Sequence, residues 1–173
     1  MRAFKFCGPD PKPLSIEEAK GLAQVAEMLP YDPVIFQIGA YIGASTVALL
    51  ETRQDAIIFS LDIKPSLQEI VNVRECGLDH TRVIRLLGDS SDIGRHWPFQ
   101  CDFLYIDGDH REPQVRKDIE TWLPTVKEGG LIGFHDYIPK PGPKIKGRVA
   151  KVVDEMIALP VVLEVDRLKV FRV

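Results

Sequence analysis

The chain has 173 residues, with 22 Lys and Arg against 25 Asp and Glu and a formal charge of −3. That length suits one domain, burying about 70% of its unfolded surface, and a 45% share of hydrophobic residues excludes a disordered chain. The mild negative charge gives no general reason to bind nucleic acid or an anionic membrane. No apolar run approaches the ~18 residues of a membrane span. Met1–Lys5 carries charge with no apolar stretch behind it, unlike a secretory signal. Cys7, Cys76 and Cys101 are odd in number and widely spaced, which fits reduced thiols in a cytoplasmic protein better than a disulfide framework or zinc site.

Residues 1–14 read as an N-terminal extension and 15–173 as a single domain. Ser15 and Glu18 have capping-box spacing, and Ile16, Ala19, Leu22, Ala23, Ala26 and Leu29 share one face, so a helix is predicted from Ser15 to Leu29. Pro30-Tyr31-Asp32-Pro33 stops it. Apolar runs and helical patterns then alternate. Strands are predicted at Val34–Ile38, Ala56–Leu61, Arg82–Leu87, Asp102–Ile106 and Leu131–Phe134. Helices are predicted at Ser45–Thr52, Pro65–Cys76, Pro113–Val126 and around Val149–Ile157, with a poorly patterned stretch before Trp97-Pro98. Val161–Val165 and Leu168–Val173 form a hairpin about Asp166-Arg167. Tyr137–Gly147 is a long irregular loop with three Pro, two Gly and three Lys. Continuous apolar strands alternating with helices imply an α/β fold, a parallel sheet covered on both faces, to which the hairpin adds an antiparallel strand.

In such a sheet, ligands bind beyond the carboxyl ends of the strands. Those ends read Gly39, Asp62, Asp89, Asp107 and His135-Asp136. Each is a glycine or a side chain able to ligate or hydrogen-bond, a regularity that random placement of charge does not give. Gly39-Ala40-Tyr41-Ile42-Gly43-Ala44-Ser45 is a tight turn but not the dinucleotide GxGxxG, since Tyr41 obstructs the approach of a pyrophosphate. Asp62, 23 residues after Gly39, is placed to accept both hydroxyls of a ribose, or alternatively to start a helix. Asp89, with Ser90 and Ser91, either contacts an adenine edge or caps a helix. Asp107, His135 and Asp136 end neighbouring strands, and carboxylates with imidazole around one point suit Mg²⁺ or another divalent metal. His110 is placed as a general base beside them. The plainer alternative has Asp109 and His110 capping the next helix and Asp136 paired with a loop lysine.

Val34-Ile35-Phe36-Gln37-Ile38-Gly39-Ala40-Tyr41-Ile42-Gly43-Ala44-Ser45-Thr46 resembles motif I of class I S-adenosylmethionine-dependent methyltransferases, especially the catechol O-methyltransferase-like branch. Ile106-Asp107-Gly108-Asp109-His110, with Gly129-Gly130-Leu131-Ile132-Gly133-Phe134-His135-Asp136-Tyr137, resembles the small bacterial enzymes of the methyltransferase 24 type. The resemblance implies a three-layer, doubly wound Rossmann-like fold with a mostly parallel seven-stranded sheet and an antiparallel C-terminal strand. It implies Gly39, Ala40, Tyr41 and Ser45 around the methionine part of S-adenosyl-L-methionine, Asp62 on the ribose, Ile63 against the adenine, and Asp89 and Ser90 at its edge. Asp107, His135 and Asp136 match the branch's metal positions, Asp107 lying beside the cofactor as well. His110 falls where catechol-type enzymes carry a catalytic lysine, His135 where they carry Asp, and Gln37 where the family usually has an acid. Metallophosphoesterase motifs are also similar at Gly108-Asp109-His110, but their early Asp-x-His and downstream histidines are missing.

The function expected is O-methylation of a small hydroxylated acceptor, with the Tyr137–Gly147 loop, through Lys140, Lys144 and Lys146, closing over it. Two other classes share the sheet: a non-catalytic cofactor-binding module acting in a complex, and an NAD-dependent oxidoreductase, against which Tyr41 and the missing third glycine count. No nucleic-acid or membrane partner is expected, and a homodimer is common for small enzymes.

Overall fold

The computed structural model describes residues 1–7, 13–64, 67–139 and 148–173. In chain order the elements are α1 (Ile16–Glu27), β1 (Val34–Ile38), α2 (Ala44–Thr52), β2 (Ile57–Asp62), α3 (Gln68–Glu75), β3 (Val83–Leu87), α4 (Ser90–Gly94), β4 (Cys101–Ile106), α5 (Glu112–Trp122), β5 (Val126–Phe134), α6 (Val149–Met156), β6 (Val161–Val165) and β7 (Leu168–Arg172). The sheet has seven strands in the order β3-β2-β1-β4-β5-β7-β6, and β7 runs antiparallel to both of its neighbours. This is the doubly wound, mostly parallel sheet that the sequence pattern implies.

Strand alternation divides the core in two. Ile35, Phe103, Tyr105 and Leu131 face one side, with α1 and α2 packed over them. Phe36, Ile38, Leu104, Ile106, Ile132 and Phe134 face the other, under α5 and α6. Side chains of a strand alternate between faces, so each buried strand feeds both layers, and no polar face is left. Trp122, fully buried at the end of α5, packs on Phe36 with ring centroids 4.3 Å apart and donates its indole N–H to the Ser90 carbonyl at 3.1 Å. It thereby fixes the start of α4 against α5.

Several boundaries differ from the sequence reading. The helix expected to reach Val126 stops at Trp122, and Leu123–Thr125 tightens into a 3-10 turn. Pro124 has no N–H to continue the ladder, which accounts for the early stop. Val126 instead opens β5, and a register shift between Cys101 and Phe103 accommodates Gly129-Gly130 before regular pairing resumes at Leu131. The stretch after Asp89 is helical because the Asp89 carboxylate accepts the Asp92 N–H at 3.1 Å. Pro65, the expected start of the third helix, lies outside the described residues. The N-terminal extension contributes Ala3 and Leu14 to the core, and Glu51 on α2 accepts the N–H groups of Arg2 and Ala3.

Two polar ties hold distant parts of the chain. Arg53 donates to the Leu29 and Pro30 carbonyls and to Asp55, while Asp55 also accepts the Asp32 N–H at 2.9 Å. They fix the turn between α1 and β1. The second tie starts at the N-terminus of α1, where Glu18 completes the capping box by accepting the Ser15 N–H at 2.7 Å. Glu18 is fully buried, and Arg167 from the β6–β7 turn reaches it with Nε 3.0 Å from Oε1. This approach needs Gly21 one turn later, because a Cβ there would stand 2.6 Å from Val165 Cγ1.

Glu18→Gln removes the buried carboxylate shared by His135 and Arg167, and urea unfolding should register a loss of about 3 kcal/mol. Asp55→Asn should cost about 1 kcal/mol at pH 7. Hydrogen bonding to Arg53 comes first among the causes that hold the Asp55 carboxyl well below its usual range. A depressed folded value stabilises fully above the unfolded value of about 3.9 and is lost as pH falls through the folded one. The gap between wild type and Asp55→Asn should therefore close in acid, and urea titrations from pH 7 down to pH 2 would measure it.

Candidate functional site

The strand order reverses between β1 and β4, so the connections leaving these two neighbours turn to opposite faces and leave a crevice between them. Backbone pairing runs one residue beyond the strands: Gly39 N–H reaches the Leu61 carbonyl at 2.8 Å, Asp107 N–H reaches Ile38 at 2.8 Å, and His135 N–H reaches Ile106 at 3.0 Å. The residues at the strand ends are thus held in register by the sheet itself. A cavity of about 790 Å³ opens there, a size suited to a small ligand. It is lined by Gly39, Ala40, Tyr41, Ser45, Asp62, Ile63, Asp89, Ser90, Asp107, His110, His135 and Asp136, whereas Ser91 is not among its lining residues.

Gly39 has φ +88°, and a Cβ there would lie 2.0 Å from the Asp107 carbonyl oxygen. Only glycine allows the two strand ends this approach. Tyr41, at φ +46°, lines the cavity and is 66% exposed. The Asp62 carboxylate shapes this turn, accepting Ala40 and Tyr41 N–H with Oδ2 at 3.1 and 2.9 Å and Lys64 N–H with Oδ1 at 2.9 Å. Asp62 therefore organises the loop and faces the cavity at once. Gln37 is buried behind it and donates to Thr46 Oγ1 at 3.0 Å, within a polar network that continues to Glu69. It is not among the cavity-lining residues.

At the ends of β4 and β5 six charged side chains close a ring. Glu18 lies 3.2 Å from His135 Nε2, and His135 Nδ1 lies 2.9 Å from Asp107. Asp107 lies 3.6 Å from His110 Nε2, and His110 Nδ1 lies 3.1 Å from Asp136. Asp136 meets Arg167 at 2.9 Å, and Arg167 returns to Glu18. Acids and bases alternate around the ring. Burial opposes a charge on His135, but Asp107 and Glu18 outweigh it and raise its pKa to about 10. Burial likewise pushes Asp107 up, yet the His135 charge and the contacts of His110 bring it below its usual value. Glu18 follows the same balance, lowered against burial by His135, the Ser15 N–H and Arg167. His110 is raised, first by its contact with Asp107 and then by the Asp136 charge, with burial acting against them.

His135, expected from the sequence among the metal ligands, lies between two carboxylates, with Asp107 2.9 Å from Nδ1 and Glu18 3.2 Å from Nε2. The donor atoms that converge belong to Asp107, His110 and Asp136, all within 4.8 Å of one another. Two carboxylates and an imidazole form a donor set that fits a divalent cation, although Arg167 already occupies one side of Asp136. Asp109 turns away from the cavity's acids to pair with Arg111, and its Oδ1 accepts the Arg111 N–H at 2.9 Å. The lysines of the long loop, Lys140, Lys144 and Lys146, lie outside the described residues.

Sequence reasoning missed four lining or supporting residues. Glu18 was readable only as a helix cap, and Arg167 only as a turn residue. Gln114 and Asp118 of α5 also line the cavity, and their polar positions on an otherwise amphipathic helix were the available signal. All three cysteines are free thiols, and burial pushes Cys101 up to about 12. Among the described residues no helix is long and apolar enough to cross a membrane.

Comparison with known proteins agrees with the fold. An O-methyltransferase-assigned protein of known structure from Klebsiella pneumoniae superposes with a TM-score of 0.75 at 17% identity, over 99% of this chain and 86% of that one. The O-methyltransferase NovP gives 0.70 at 18% identity, over 92% and 80%. These are likenesses of fold. A curated relative, the N-acyl homoserine lactonase AiiB of Rhizobium rhizogenes, is 33% identical over 103 residues, which make up 58% of this chain and 36% of the relative. The chain thus spans about a third of the length of the curated relatives it matches. The methyltransferase-domain model of the methyltransferase 24 family matches residues 36–137, from the middle of β1 to just beyond β5, and this chain belongs to that family.

Proposed function

We propose that the chain is an S-adenosylmethionine-dependent O-methyltransferase acting on a small hydroxylated acceptor. The observation that carries the reading is the convergence of all five strand termini on one cavity, beside a Gly39–Asp107 contact that no larger residue permits. That cradle and cavity fit a nucleoside cofactor. S-adenosylmethionine supplies, when bound, an electrophilic methyl group on a sulfonium.

The protein's own tasks are alignment and proton removal. Gly39, Ala40, Tyr41 and Ser45 hold the methionine end. Asp62 takes the ribose hydroxyls, and Ile63 lies against the base. Asp89 and Ser90 wall the far end. His110 accepts the proton of the acceptor hydroxyl, and Asp107 and Asp136 stabilise the resulting imidazolium, as the carboxylate of a catalytic triad does. A divalent ion, where one is used, would be held by Asp107, His110 and Asp136, and it would lower the pKa of the acceptor hydroxyl. His135 stays an internal counter-charge in either case.

Calorimetry with S-adenosylhomocysteine should show a single site, and Asp62→Ala should weaken it at least tenfold; titration with NADH should show no binding. With a panel of catechols, sugars and other hydroxylated acceptors, S-adenosylhomocysteine release should fall when EDTA is added. Unchanged release would remove the ion and leave the methyl transfer to His110, and no release with any acceptor would favour a binding module.

A further inference from the structure

Glu69, on α3, is fully buried and is not among the cavity-lining residues. Its carboxylate collects donors from three other elements. Oε1 accepts the Thr46 hydroxyl of α2 at 2.5 Å and the Ser60 hydroxyl of β2 at 2.7 Å, and Oε2 accepts Arg85 Nε–H of β3 at 3.2 Å. Thr46 Oγ1 in turn accepts the Gln37 amide of β1 at 3.0 Å. Gln37, Thr46 and Ser60 are buried with it. A carboxylate at 37 would set a second buried anion against the hydroxyl that already serves Glu69, so a neutral amide donor is the partner that fits.

This network stands behind the turn from Gly39 to Ser45. Gly43 caps α2 at φ +80° without a side-chain hydrogen bond, and the first turn of that helix holds no acid. Glu69 supplies one from outside, at Thr46, the third residue of α2, where an anion complements the helix dipole. It also packs on Gly43, where a Cβ would stand 2.7 Å from Glu69 Cγ and 3.0 Å from its Cα. Three residues further along the same face of α3, Asn72 Nδ2 donates to the Ile42 carbonyl at 2.8 Å. Asp62 grips the turn from the opposite side through the Ala40 and Tyr41 N–H groups. Gly39, Ala40, Tyr41, Ala44 and Ser45 line the cavity, whereas Gln37, Thr46, Glu69 and Asn72 do not.

We propose that Glu69 is a positioning residue for cofactor binding, acting through Thr46 and Gly43 on the turn that presents Gly39 to Ser45. The proposal rests on the S-adenosylmethionine reading of that turn. Hydrogen bonds set a distance and a direction, which apolar packing does not. A single carboxylate bonded to α2, β2 and β3 therefore fixes the start of α2 relative to the strands beside it. Glu69 touches nothing in the cavity, so its effect on a ligand passes entirely through the backbone of the turn. A small misplacement of groups that hold a ligand is costly, even when it originates away from the contacts themselves.

Calorimetry with S-adenosylhomocysteine, beside a melting curve for each variant, separates positioning from stability. Glu69→Gln keeps the shape and removes the charge, and the folded variant should bind about tenfold more weakly. Thr46→Val, which leaves the carboxylate to Ser60 and Arg85, should weaken binding in the same direction, and it carries the test if Glu69→Gln does not fold. Asp102→Asn is the control: this buried carboxylate accepts the Val34 N–H at 2.8 Å at the opposite end of the sheet, and its loss should lower the melting temperature with affinity unchanged. Hydrogen exchange on the ligand-free protein should show faster exchange at residues 40–46 in Glu69→Gln and not in Asp102→Asn. If Glu69→Gln and Thr46→Val melt earlier but bind as wild type does, Glu69 serves stability alone and the proposal is overturned while the cofactor site stands. If wild type binds no S-adenosylhomocysteine, the cofactor reading fails first and the proposal falls with it.

Discussion

The site depends on a closed circuit of opposite charges. Glu18, His135, Asp107, His110, Asp136 and Arg167 alternate in sign around the ends of β4 and β5, and each is within 3.6 Å of the next. A single buried ion pair in this setting would be a poor source of stability, because desolvation cancels most of the attraction. In a ring, each group serves two partners, so one desolvation cost is set against two attractions. The ring also joins parts of the chain that are remote in sequence: the first helix, two central strands and the terminal hairpin. The cavity-facing carboxylates are therefore oriented by the same contacts that attach both ends of the domain to the sheet.

This arrangement bears on the chemistry. A carboxylate pair facing a crevice repels itself unless something neutralises it. Here His135 and Arg167 supply fixed positive charge from behind, on the side away from His110. The two routes proposed for the site, base assistance by His110 and metal assistance, would draw on the same Asp107 and Asp136. The left-handed backbone at Asp136, φ +51°, shows the chain bending out of strand geometry to bring this carboxylate to both His110 and Arg167.

Much of this was legible in the sequence, for identifiable reasons. The parallel strands are continuous apolar runs, and their ends are marked by glycine, aspartate or histidine, so both the sheet and the ligand edge could be read without contacts. Capping signals placed α1 accurately, since Ser15 and Glu18 are local partners. Where the reading failed, the determinant was non-local or masked. Pro124 interrupts the helical pattern, but the apolar residues through Val126 extend the expected helix past Trp122, where it ends. His135 stands at a strand end as the sequence reading has it, but its second neighbour, Glu18, comes from more than a hundred residues away and could not be read locally. Asp118 and Arg167 sit in elements whose patterns are fully explained by burial and turn formation, so nothing local distinguishes them.

Asp62 and Asp118 illustrate two ways in which a carboxylate is held beside the cavity. Asp62 is held by three backbone N–H groups, which fix its position, while it lines the cavity. Asp118 is held at one oxygen by side chains and left bare at the other, in a place that water-facing aspartates do not occupy. The first arrangement is stable without a ligand, because its hydrogen bonds are made within the turn itself.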